Sequence, residues 1–315
     1  MTVDIRPYRP GDEEAIIALF AEAHPGREMT PAEWHWRFQA NPAGPGCIML
    51  GWDGPRLVSH YATMSRMILW GGVPNRTEQS VVTMTAPTHR GQRLFQRLGE
   101  ATYRALEADG VCAVWGFPNA MIHRMRVRDL GWRDIGVVPF LRRSIESLVA
   151  GTEPLNGVFE IEPDDARVDA LWRRCVDKMD VAAVSDGEYC RWRFAGPRGE
   201  AYCFLALPAA DGALEALAVW KSYRTEAQVV LFLAVDASAA KAMLEAVISD
   251  ARRRNHRSVA LWCNLSDPNH HELERLGFTL DAPLTYLGWR GLRTKDQCDV
   301  RMERLLIQMH DSDVF

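Results

Sequence analysis

The chain has 315 residues, of which 47% are hydrophobic and 25% are charged, and its formal net charge is −4 at pH 7. This length exceeds the usual size of a single domain, so two domains of about 150 residues each are expected. The charge balance gives no reason to expect nucleic acid or an anionic membrane as a partner, and no apolar run approaches the roughly 20 residues of a membrane-spanning helix.

The cysteines indicate the compartment. The seven cysteines are scattered along the chain and form no C-x-x-C pair. An odd, scattered set of this kind is typical of reduced thiols, so we expect neither a disulfide nor a metal site. The segment after Met1 contains acidic residues and lacks the apolar stretch of a signal peptide. A cytoplasmic location is therefore expected.

The first 145 residues alternate between strand and helix signals. Strands are predicted at residues 3–8, 47–52, 57–70, 81–85, 111–117 and 135–143. Helices are predicted after Asp12, after Thr30, from Leu94 to Leu106 and after Asn119. The second helix has the clearest start, because Thr30, Pro31 and Glu33 have the pattern of a capping box with proline at the first helical position.

The stretch from Val81 to Leu106 carries the clearest chemical signal. A β-branched strand ends at a proline, and helical periodicity begins after a basic turn that contains glycine. The first N–H groups of such a helix have no partner within the helix and bind phosphate well. Arg90 and Arg93 add positive charge, and Gly91 lets a ligand approach the backbone. Many junctions of this type bind nothing, so spacing alone leaves a purely structural role open.

This stretch resembles the acyl-CoA-binding segment of the GNAT (GCN5-related) N-acetyltransferases, whose motif is Gln/Arg-x-x-Gly-x-Gly/Ala. Arg90 and Gly91 match the motif, whereas Arg93 stands at its second glycine and Phe95 at its small residue. An arginine at positive φ costs roughly 1–3 kcal/mol, so the turn is expected to differ from the usual shape. The residues that the resemblance implies for binding acyl-CoA are Met84, Thr85, Arg90, Gly91, Gln92, Arg93, Leu94, Phe95 and Asn119. Asn119 is equally well explained as a residue that opens the next helix.

The second half of the chain repeats patterns of the first at an offset of about 150 residues. The tripeptide at 36–38 is echoed at 192–194, and the Pro-Asn pair at 118–119 is echoed at 268–269. The equivalent of the phosphate junction has a strand and a helix but no Arg-Gly turn, and its single Lys241 is a weak phosphate ligand. We therefore expect acyl-CoA to bind only in the first half.

The order of elements is also that of a GNAT domain. The expected fold is α/β (α+β), with two tandem GNAT-like domains, each a mixed, mostly antiparallel sheet flanked by helices. The acyl-CoA domain is placed at residues 1–150 and the degenerate domain at 151–315, with a linker at 151–156. The chain's ending resembles that of tandem-GNAT sugar N-acyltransferases, which implies that the tail returns toward the first domain. The second domain is expected to shape the acceptor site or a homodimer contact.

The resemblance implies direct aminolysis, in which a primary amine attacks the thioester while a base and an acid move protons. Many GNAT enzymes use a tyrosine as the acid, but Val127 stands at that position. The candidate catalytic residues are Tyr61, Glu78, His123, Asp311 and Asp313. Each candidate also has a non-catalytic explanation. His123 is consistent with a surface or helix-capping residue, and Glu78 with a solvated residue beside a hairpin turn. The two aspartates are consistent with a frayed chain end.

Aromatic and charged residues near the second helix are candidates for binding the acceptor. Tryptophan faces suit a sugar ring, and arginine recognises phosphate or carboxylate. The candidate acceptor-binding residues are His24, Trp34, His35 and Arg37. Trp36 and Phe38 are echoed in the second half, which favours core positions for them.

The predicted function is an acyl-CoA-dependent N-acyltransferase. It is expected to move an acetyl or other short acyl group to a small-molecule amine, with an amino sugar favoured and no metal required. The alternatives keep the fold and change the acceptor to an antibiotic, a polyamine, a protein amine or a long-chain base. A non-catalytic CoA-sensing protein is the alternative from another class.

Overall fold

The computed structural model describes residues 3–146, 157–163, 165–177, 179–197, 199–293 and 300–313. The linker expected at 151–156 lies outside these residues. Between residues 3 and 146 the strands are β1 (Asp4–Pro7), β2 (Ile48–Asp53), β3 (Arg56–Trp70), β4 (Val73–Thr85), β5 (Ala113–Gly116) and β6 (Arg133–Ser144). The helices are α1 (Glu13–Ala23), α2 (Pro31–Phe38), α3 (Leu94–Ala108) and α4 (Ala120–Leu130). This is the predicted order of elements, and the Thr30 hydroxyl accepts the Glu33 N–H at 3.1 Å, as a cap should.

The second half repeats this order. Its strands are β7 (Phe159–Glu160), β8 (Val181–Ala183), β9 (Tyr202–Pro208), β10 (Leu214–Tyr223), β11 (Glu226–Ala234), β12 (Ser258–Trp262), β13 (Thr279–Gly291) and β14 (Leu305–Leu306). Its helices are α5 (Arg167–Val176), α6 (Gly187–Phe194), α7 (Ala237–Arg253) and α8 (His270–Arg275). The short strands β8 and β14 are additions that pair with each other, and β8 also pairs with the end of β3.

The strands form one continuous sheet in which the two halves exchange their closing strands. The order along the sheet is β1-β2-β3-β4-β5-β13-β6-β12-β11-β10-β9-β7. β13 of the second half pairs with β5 of the first, and β6 of the first half pairs with β12 of the second. The expected mixed, mostly antiparallel sheet is confirmed, with parallel pairs β4–β5 and β11–β12.

Helices cover both faces of this sheet. On one face α3 packs against β3 and buries Leu98 and Tyr103. On the opposite face a shared apolar cluster contains Trp115 of the first half, Phe194 of the second half and Met309 of the C-terminal segment, residues 300–313. The C-terminal segment is therefore part of the core that joins the halves. Among the described helices, none is both long enough and apolar enough to cross a membrane.

The cysteines follow the expectation at most positions. The free thiols are Cys47, Cys175, Cys190, Cys203 and Cys263. Burial raises the pKa of Cys190 to about 12, which keeps that thiol protonated. The expectation is wrong at Cys112, which is disulfide-bonded. Pairing of this kind depends on proximity in the fold, which the spacing of cysteines along the chain does not reveal.

Candidate functional site

β4 and β5 are parallel neighbours that separate along their length. They are paired only at Glu78–Val114 and Gln79–Trp115. Beyond these pairs β4 continues to Thr85 without bonding to β5. We call the gap that opens between the two strands the fork. An unpaired strand edge presents N–H and C=O groups that an extended ligand can use. The fork is therefore the first candidate binding element of the first half.

A bulge bends β4 beside the fork. The register against β3 shifts between His60 and Ala62, so Val82 and Thr83 stand opposite a single residue. Val82 has φ of 46°, which is rare for a β-branched residue. The imidazole Nδ1–H of His60 donates to the Val82 carbonyl at 2.7 Å and holds the bulge in place. Bulges re-aim strand residues and are frequent beside active sites.

The peptide N–H of Thr85 faces the fork. The next residue, Ala86, donates its N–H to Val58 of β3 at 2.8 Å. Because successive residues of a strand point their N–H groups in opposite directions, the Thr85 N–H is directed away from β3. The Met84 side chain is buried, and the Met84 carbonyl accepts the Ser59 hydroxyl at 3.3 Å. Thr85 is thus better placed than Met84 to donate to a ligand in the fork.

The turn before α3 has the features of an anion site. Arg93 precedes the helix with φ of 57°, and no side chain caps the helix. Arg90, Gly91 and Gln92 are exposed, and Gly91 has φ of 80°. The side chains of Leu94 and Phe95 are buried, so only their backbone can face a ligand. Open N–H groups beside two arginines favour a phosphate.

At the equivalent junction of the second half, which borders a cavity of about 250 Å³, two sets of backbone groups already have partners within the chain. α7 begins after Asp236, whose carboxylate accepts the Ala239 N–H at 2.9 Å and places negative charge where a phosphate would lie. The C-terminal segment fills the gap between β11 and β12: the Gln308 amide accepts from the Phe232 N–H at 2.6 Å and donates to the Phe232 carbonyl at 2.8 Å. The strand edge that is open in the first half is therefore occupied by the chain itself in the second.

Replacing Arg93 with glycine is expected to stabilise the fold by about 1 kcal/mol, because glycine adopts the left-handed conformation without the penalty of a β-carbon. Urea unfolding at pH 7 measures the change. Arg224→Gly is the matched control, since Arg224 has φ of 56° in an exposed turn of the second half. Both variants should gain stability, and only Arg93→Gly should alter affinity for CoA. Loss of stability in Arg93→Gly would contradict the strained turn.

A narrow cleft lies where α2, α6 and the C-terminal segment meet. Trp36 and Trp192 stack with ring centroids 4.9 Å apart. Each indole N–H donates to the backbone carbonyl of the other tryptophan, at 2.7 and 3.0 Å. The repeated motifs of the two halves thus pair with each other. The cleft is also lined by Arg37, Arg193 and Asp313.

The repeated arginines hold the C-terminal segment beside this cleft. Arg37 pairs with Asp313 at 3.5 Å and with Glu33 at 3.1 Å. Arg193 donates to the carbonyl groups of His310 and Ser312, each at 3.3 Å. The C-terminal segment therefore contacts the first half through Arg37 and Asp313, and Arg37 lines the cleft.

The other three predicted acceptor residues lie away from the cleft. Trp34 is only 3% exposed and packs between Tyr8 and Phe38, which leaves its ring no open face. His35 is exposed on the outer side of α2. His24 lies at the end of α1, where burial and the nearby charges of Arg27 and Arg90 lower its pKa. Trp36 is buried, as expected, and its 9% exposed surface borders the cleft.

Two predicted catalytic residues, Glu78 and Tyr61, lie on the α3 face of the sheet. Glu78 is fully buried and accepts the Ser65 hydroxyl at 2.6 Å. Burial raises the pKa of its carboxyl group. The Tyr61 hydroxyl bonds that of Tyr103 at 2.5 Å. Because the cleft is on the other face, neither residue is brought to it, and the predicted solvated position of Glu78 is not what the structure has.

His123 and Asn119 lie at the start of α4. His123 Nε2 bonds the Asp134 carboxylate at 2.6 Å, and its ring stacks on Tyr286 of β13 at 3.9 Å. The Asn119 side-chain oxygen accepts from the N–H groups of the two residues after Ala120, at 3.1 and 3.0 Å. Asn119 therefore caps α4, which is one of its two expected roles.

The two aspartates of the tail differ in their surroundings. Asp311 is buried and pairs with Arg66 at 2.8 Å, while its second oxygen accepts the Gln308 N–H at 2.8 Å. Both carboxylate oxygens are engaged, so Asp311 serves first as an anchor for the tail. The Asp313 side chain is 29% exposed and faces the cleft beside Arg37. Of the two, Asp313 is the better placed to meet an amine.

Comparisons with known proteins agree with this geometry. Residues 4–133 match the family described as the acetyltransferase (GNAT) domain. The match covers 130 of the 315 residues. The match ends at Arg133, the first residue of β6, which pairs with Trp289 of β13 in the second half. The comparison with curated proteins found no match.

Solved structures share the fold over nearly the whole chain. A probable N-acyltransferase of Enterococcus faecalis V583 has 12% identity and a TM-score of 0.71, with 93% of this chain and 73% of that chain covered. A GCN5-related N-acetyltransferase of Kribbella flavida has 15% identity and a TM-score of 0.65, with coverage of 92% and 71%. Saccharomyces cerevisiae N-myristoyltransferase with bound myristoyl-CoA has 10% identity and a TM-score of 0.65, with coverage of 96% and 84%. The GNAT fold is confirmed.

One buried residue of the segment at 4–133 was not predicted from the sequence. Arg126 is 5% exposed and donates to the Ser80 hydroxyl at 3.0 Å, beside the fork. A lone arginine on a helix is usually solvated, so neither its residue type nor its spacing predicted that Arg126 is buried. The one available signal was its neighbour Val127, which marks the missing tyrosine of the family pattern.

Among the described residues, one group could in principle hold a metal ion. Glu160, Cys203 and Asp250 have ligand atoms within 4.8 Å of one another. The guanidinium of Arg254 already lies among them, within 3.5 Å of the Cys203 sulfur and 3.2 Å of the Asp250 carboxylate. This arginine supplies the positive charge that the group requires, so the cluster is explained without a metal.

Proposed function

We propose that this chain is an acyl-CoA-dependent N-acyltransferase that moves an acetyl or short acyl group to a primary amine by direct attack. The contrast between the two halves carries the proposal. The first half keeps an open fork, an uncapped helix and a cationic turn, whereas in the second half Asp236 caps the helix and Gln308 bonds the free strand edge. The match of residues 4–133 to the acetyltransferase (GNAT) domain family and the N-acetyltransferase neighbours support acyl transfer to an amine.

The residues of the first half fit acyl-CoA as a co-substrate. The pyrophosphate would lie at the start of α3, where the open N–H groups meet Arg90 and Arg93. The pantetheine arm would follow the free edge of β4, where the Thr85 N–H would donate to one of its amide carbonyls, and the thioester would lie further along β4 toward Ser80, where β4 and β5 begin to separate.

The acceptor is proposed to be an amino sugar that meets the cleft between the halves from outside, because the cleft itself has a volume of about 10 Å³ and admits only a water-sized group such as the amine. Arg37 and Arg193 suit a phosphate or carboxylate on such a molecule, and the edges of Trp36 and Trp192 suit a sugar ring. Asp313 would bind the amine or take its proton. Because another amine could bind the same cleft residues, the preference for an amino sugar rests on the sequence resemblance together with the aromatic and charged residues that line the cleft.

The Arg90→Ala variant is expected to weaken CoA binding about 10-fold or more, because a charge-assisted phosphate contact is lost. Titration calorimetry with CoA measures this. Lys241→Ala is the matched control, since Lys241 is the fifth residue of α7 and its side chain is 57% exposed. Equal affinities of wild-type protein and Arg90→Ala for CoA would overturn the proposed site.

The activity is tested by release of free thiol from acyl-CoA in the presence of amines. Acetyl-, octanoyl- and myristoyl-CoA serve as donors, because a structural neighbour was solved with myristoyl-CoA. Amino sugars, their nucleotide-linked forms, polyamines, aminoglycosides and peptides serve as acceptors. Amine-dependent thiol release that Asp313→Asn reduces supports the proposal. CoA binding without turnover of any acceptor would favour a CoA-sensing protein instead.

A further inference from the structure

Arg126 of α4 is a buried cation beside the fork. Its guanidinium lies over the ring of Trp132, with Cζ 4.4 Å from the ring centroid. Nη2 donates to the Ser80 hydroxyl at 3.0 Å, whereas Nε and Nη1 are buried without any hydrogen-bond partner. Within the described part of the chain, no carboxylate forms an ion pair with Arg126. A buried, uncompensated guanidinium is costly, and it points to an anion that arrives from outside.

Contacts with both strands place this guanidinium at the mouth of the fork. Ser80 and Gly116 are the first residues beyond the last parallel pair, Gln79–Trp115. Arg126 bonds Ser80 on one strand, and its Nη1 lies 3.5 Å from the position that a β-carbon on Gly116 would take. The Ser80 carbonyl lies 3.2 Å from the same position. A side chain at 116 would fill this point, so the glycine keeps the mouth of the fork open.

The neighbouring groups are neutral and do not compensate the charge. The Ser80 hydroxyl donates to the Tyr61 hydroxyl at 3.3 Å, and Tyr61 bonds Tyr103. Trp132 donates its indole N–H to Tyr103 at 2.7 Å. Burial raises the pKa of Tyr103 well above its ordinary value, so that phenol stays protonated near neutral pH. The titratable groups that face the guanidinium are thus the two phenols.

We infer that Arg126 stabilises the thiolate that leaves when acyl-CoA is consumed, an inference that rests on the proposed function. As the amine nitrogen bonds to the acyl carbon, the carbon–sulfur bond breaks and its electron pair stays on sulfur. The amine proton passes to the base on the acceptor side. Arginine keeps its own proton at any working pH, so Arg126 acts as a fixed positive charge and not as an acid. Solvent protonates the thiolate after release.

This role accounts for the valine at the position of the family's tyrosine acid. Val127 is 40% exposed, so its side chain points away from the fork, while the preceding residue points into it. A thiolate is a moderate leaving group because thiols ionise near pH 8.5. A positive charge within reach of the sulfur therefore replaces a proton donor.

The test is the pKa of the thiol of bound CoA, measured from the ultraviolet absorbance of the thiolate as the complex is titrated. In wild-type protein the bound thiol should ionise at least about one pH unit below free CoA, since a nearby opposite charge lowers a pKa by 1–3 units. Arg126→Met should abolish this difference, and Arg126→Lys should keep most of it. Arg124→Met is the control, because Arg124 is exposed on the same helix. Tyr103→Phe checks that phenolate absorbance does not contribute.

The outcomes separate this inference from the proposed function. If CoA does not bind wild-type protein, the proposed function fails whatever Arg126 does. If CoA binds and its thiol ionises alike in wild-type protein and Arg126→Met, the inference alone is overturned. If Arg126→Met fails to fold, Arg126→Gln replaces it, since glutamine keeps a donor for Ser80 and removes the charge. A loss of affinity confined to a donor with a carboxylate on its acyl group, such as succinyl-CoA, would also overturn the thiolate role.

Discussion

The protein is expected to lose stability steeply as the pH falls from about 6.5 to about 4, because two buried histidines stay neutral in the folded state. His60 is fully buried and His310 is 3% exposed. Burial lowers the pKa of each imidazole from 6.5 to about 4. His60 donates to the Val82 carbonyl at the bulge of β4, and His310 donates to the Val230 carbonyl at the bulge of β11.

The sign of this dependence follows from proton uptake. An unfolded histidine binds a proton near pH 6.5, whereas the folded one resists it until about pH 4. Between these values the unfolded state binds more protons than the folded state, so the free energy of unfolding decreases as the pH is lowered. Each histidine removes about 3 kcal/mol over this range, as an order of magnitude. Glu78 acts oppositely: burial raises its pKa, so its stabilising contribution is present at low pH and lost as the pH rises through that pKa.

Urea unfolding at pH 7 and pH 4.5 tests this prediction. His60→Asn and His310→Asn keep a hydrogen-bond donor and remove the titration, so each variant should lose much less stability between the two pH values than wild-type protein. His271→Asn is the control, because the His271 side chain is 85% exposed. A pH dependence that is the same in wild-type protein and in both buried variants would show that other groups cause the acid lability.

Local features of the sequence were sufficient to predict the order of elements. The capping box at Thr30, the β-branched strand before the basic turn and the Asn119 cap each act within a few residues, so their physics is visible along the chain. The same holds for Arg93, whose strained conformation was expected from its place in the motif.

Long-range pairing was beyond the sequence. The repeat gives each half a closing strand but does not say which sheet that strand joins, and β6 and β13 each pair with the other half. The face of α2 that meets the cleft was also misjudged. Trp36 is covered by Trp192 of the second half of the chain, whereas Trp34 is covered by Tyr8 and Phe38 of the first half. Arg126 is buried only because Ser80 and the Trp132 ring meet it from other elements.

The arrangement at the equivalent junction of the second half is a further long-range effect. Asp236 is a common helix cap, so its sequence alone did not show that it excludes phosphate. Gln308 is a single polar residue in an apolar tail, yet it satisfies both backbone groups of Phe232. The tail thus has two roles, since it fills the gap in one half and brings Asp313 to the acceptor side of the other.

Breaking the ion pair between Arg66 and Asp311 is expected to cost about 3–5 kcal/mol, because removal of one partner leaves a buried charge uncompensated. The side chains of Arg66 and Asp311 are 5% and 3% exposed, and Arg66 Nη2 lies 2.8 Å from Asp311 Oδ1. Arg66 also lies 3.5 Å from the ring centroid of Tyr189. Asp311→Asn keeps the shape of the side chain and removes its charge, so it is the sharper variant. Urea unfolding at pH 7 measures the loss.

Two comparisons make this prediction specific. Arg66→Met combined with Asp311→Asn should cost less than the two single changes added together, because no charge is then left unpaired. Arg56→Met is the matched control, since the Arg56–Glu22 pair is exposed and should contribute less than about 1 kcal/mol. A loss below about 1 kcal/mol in Asp311→Asn would show that the pair does not anchor the tail. Because the tail also positions Asp313, Asp311→Asn should lower turnover while CoA affinity, set at the start of α3, stays unchanged.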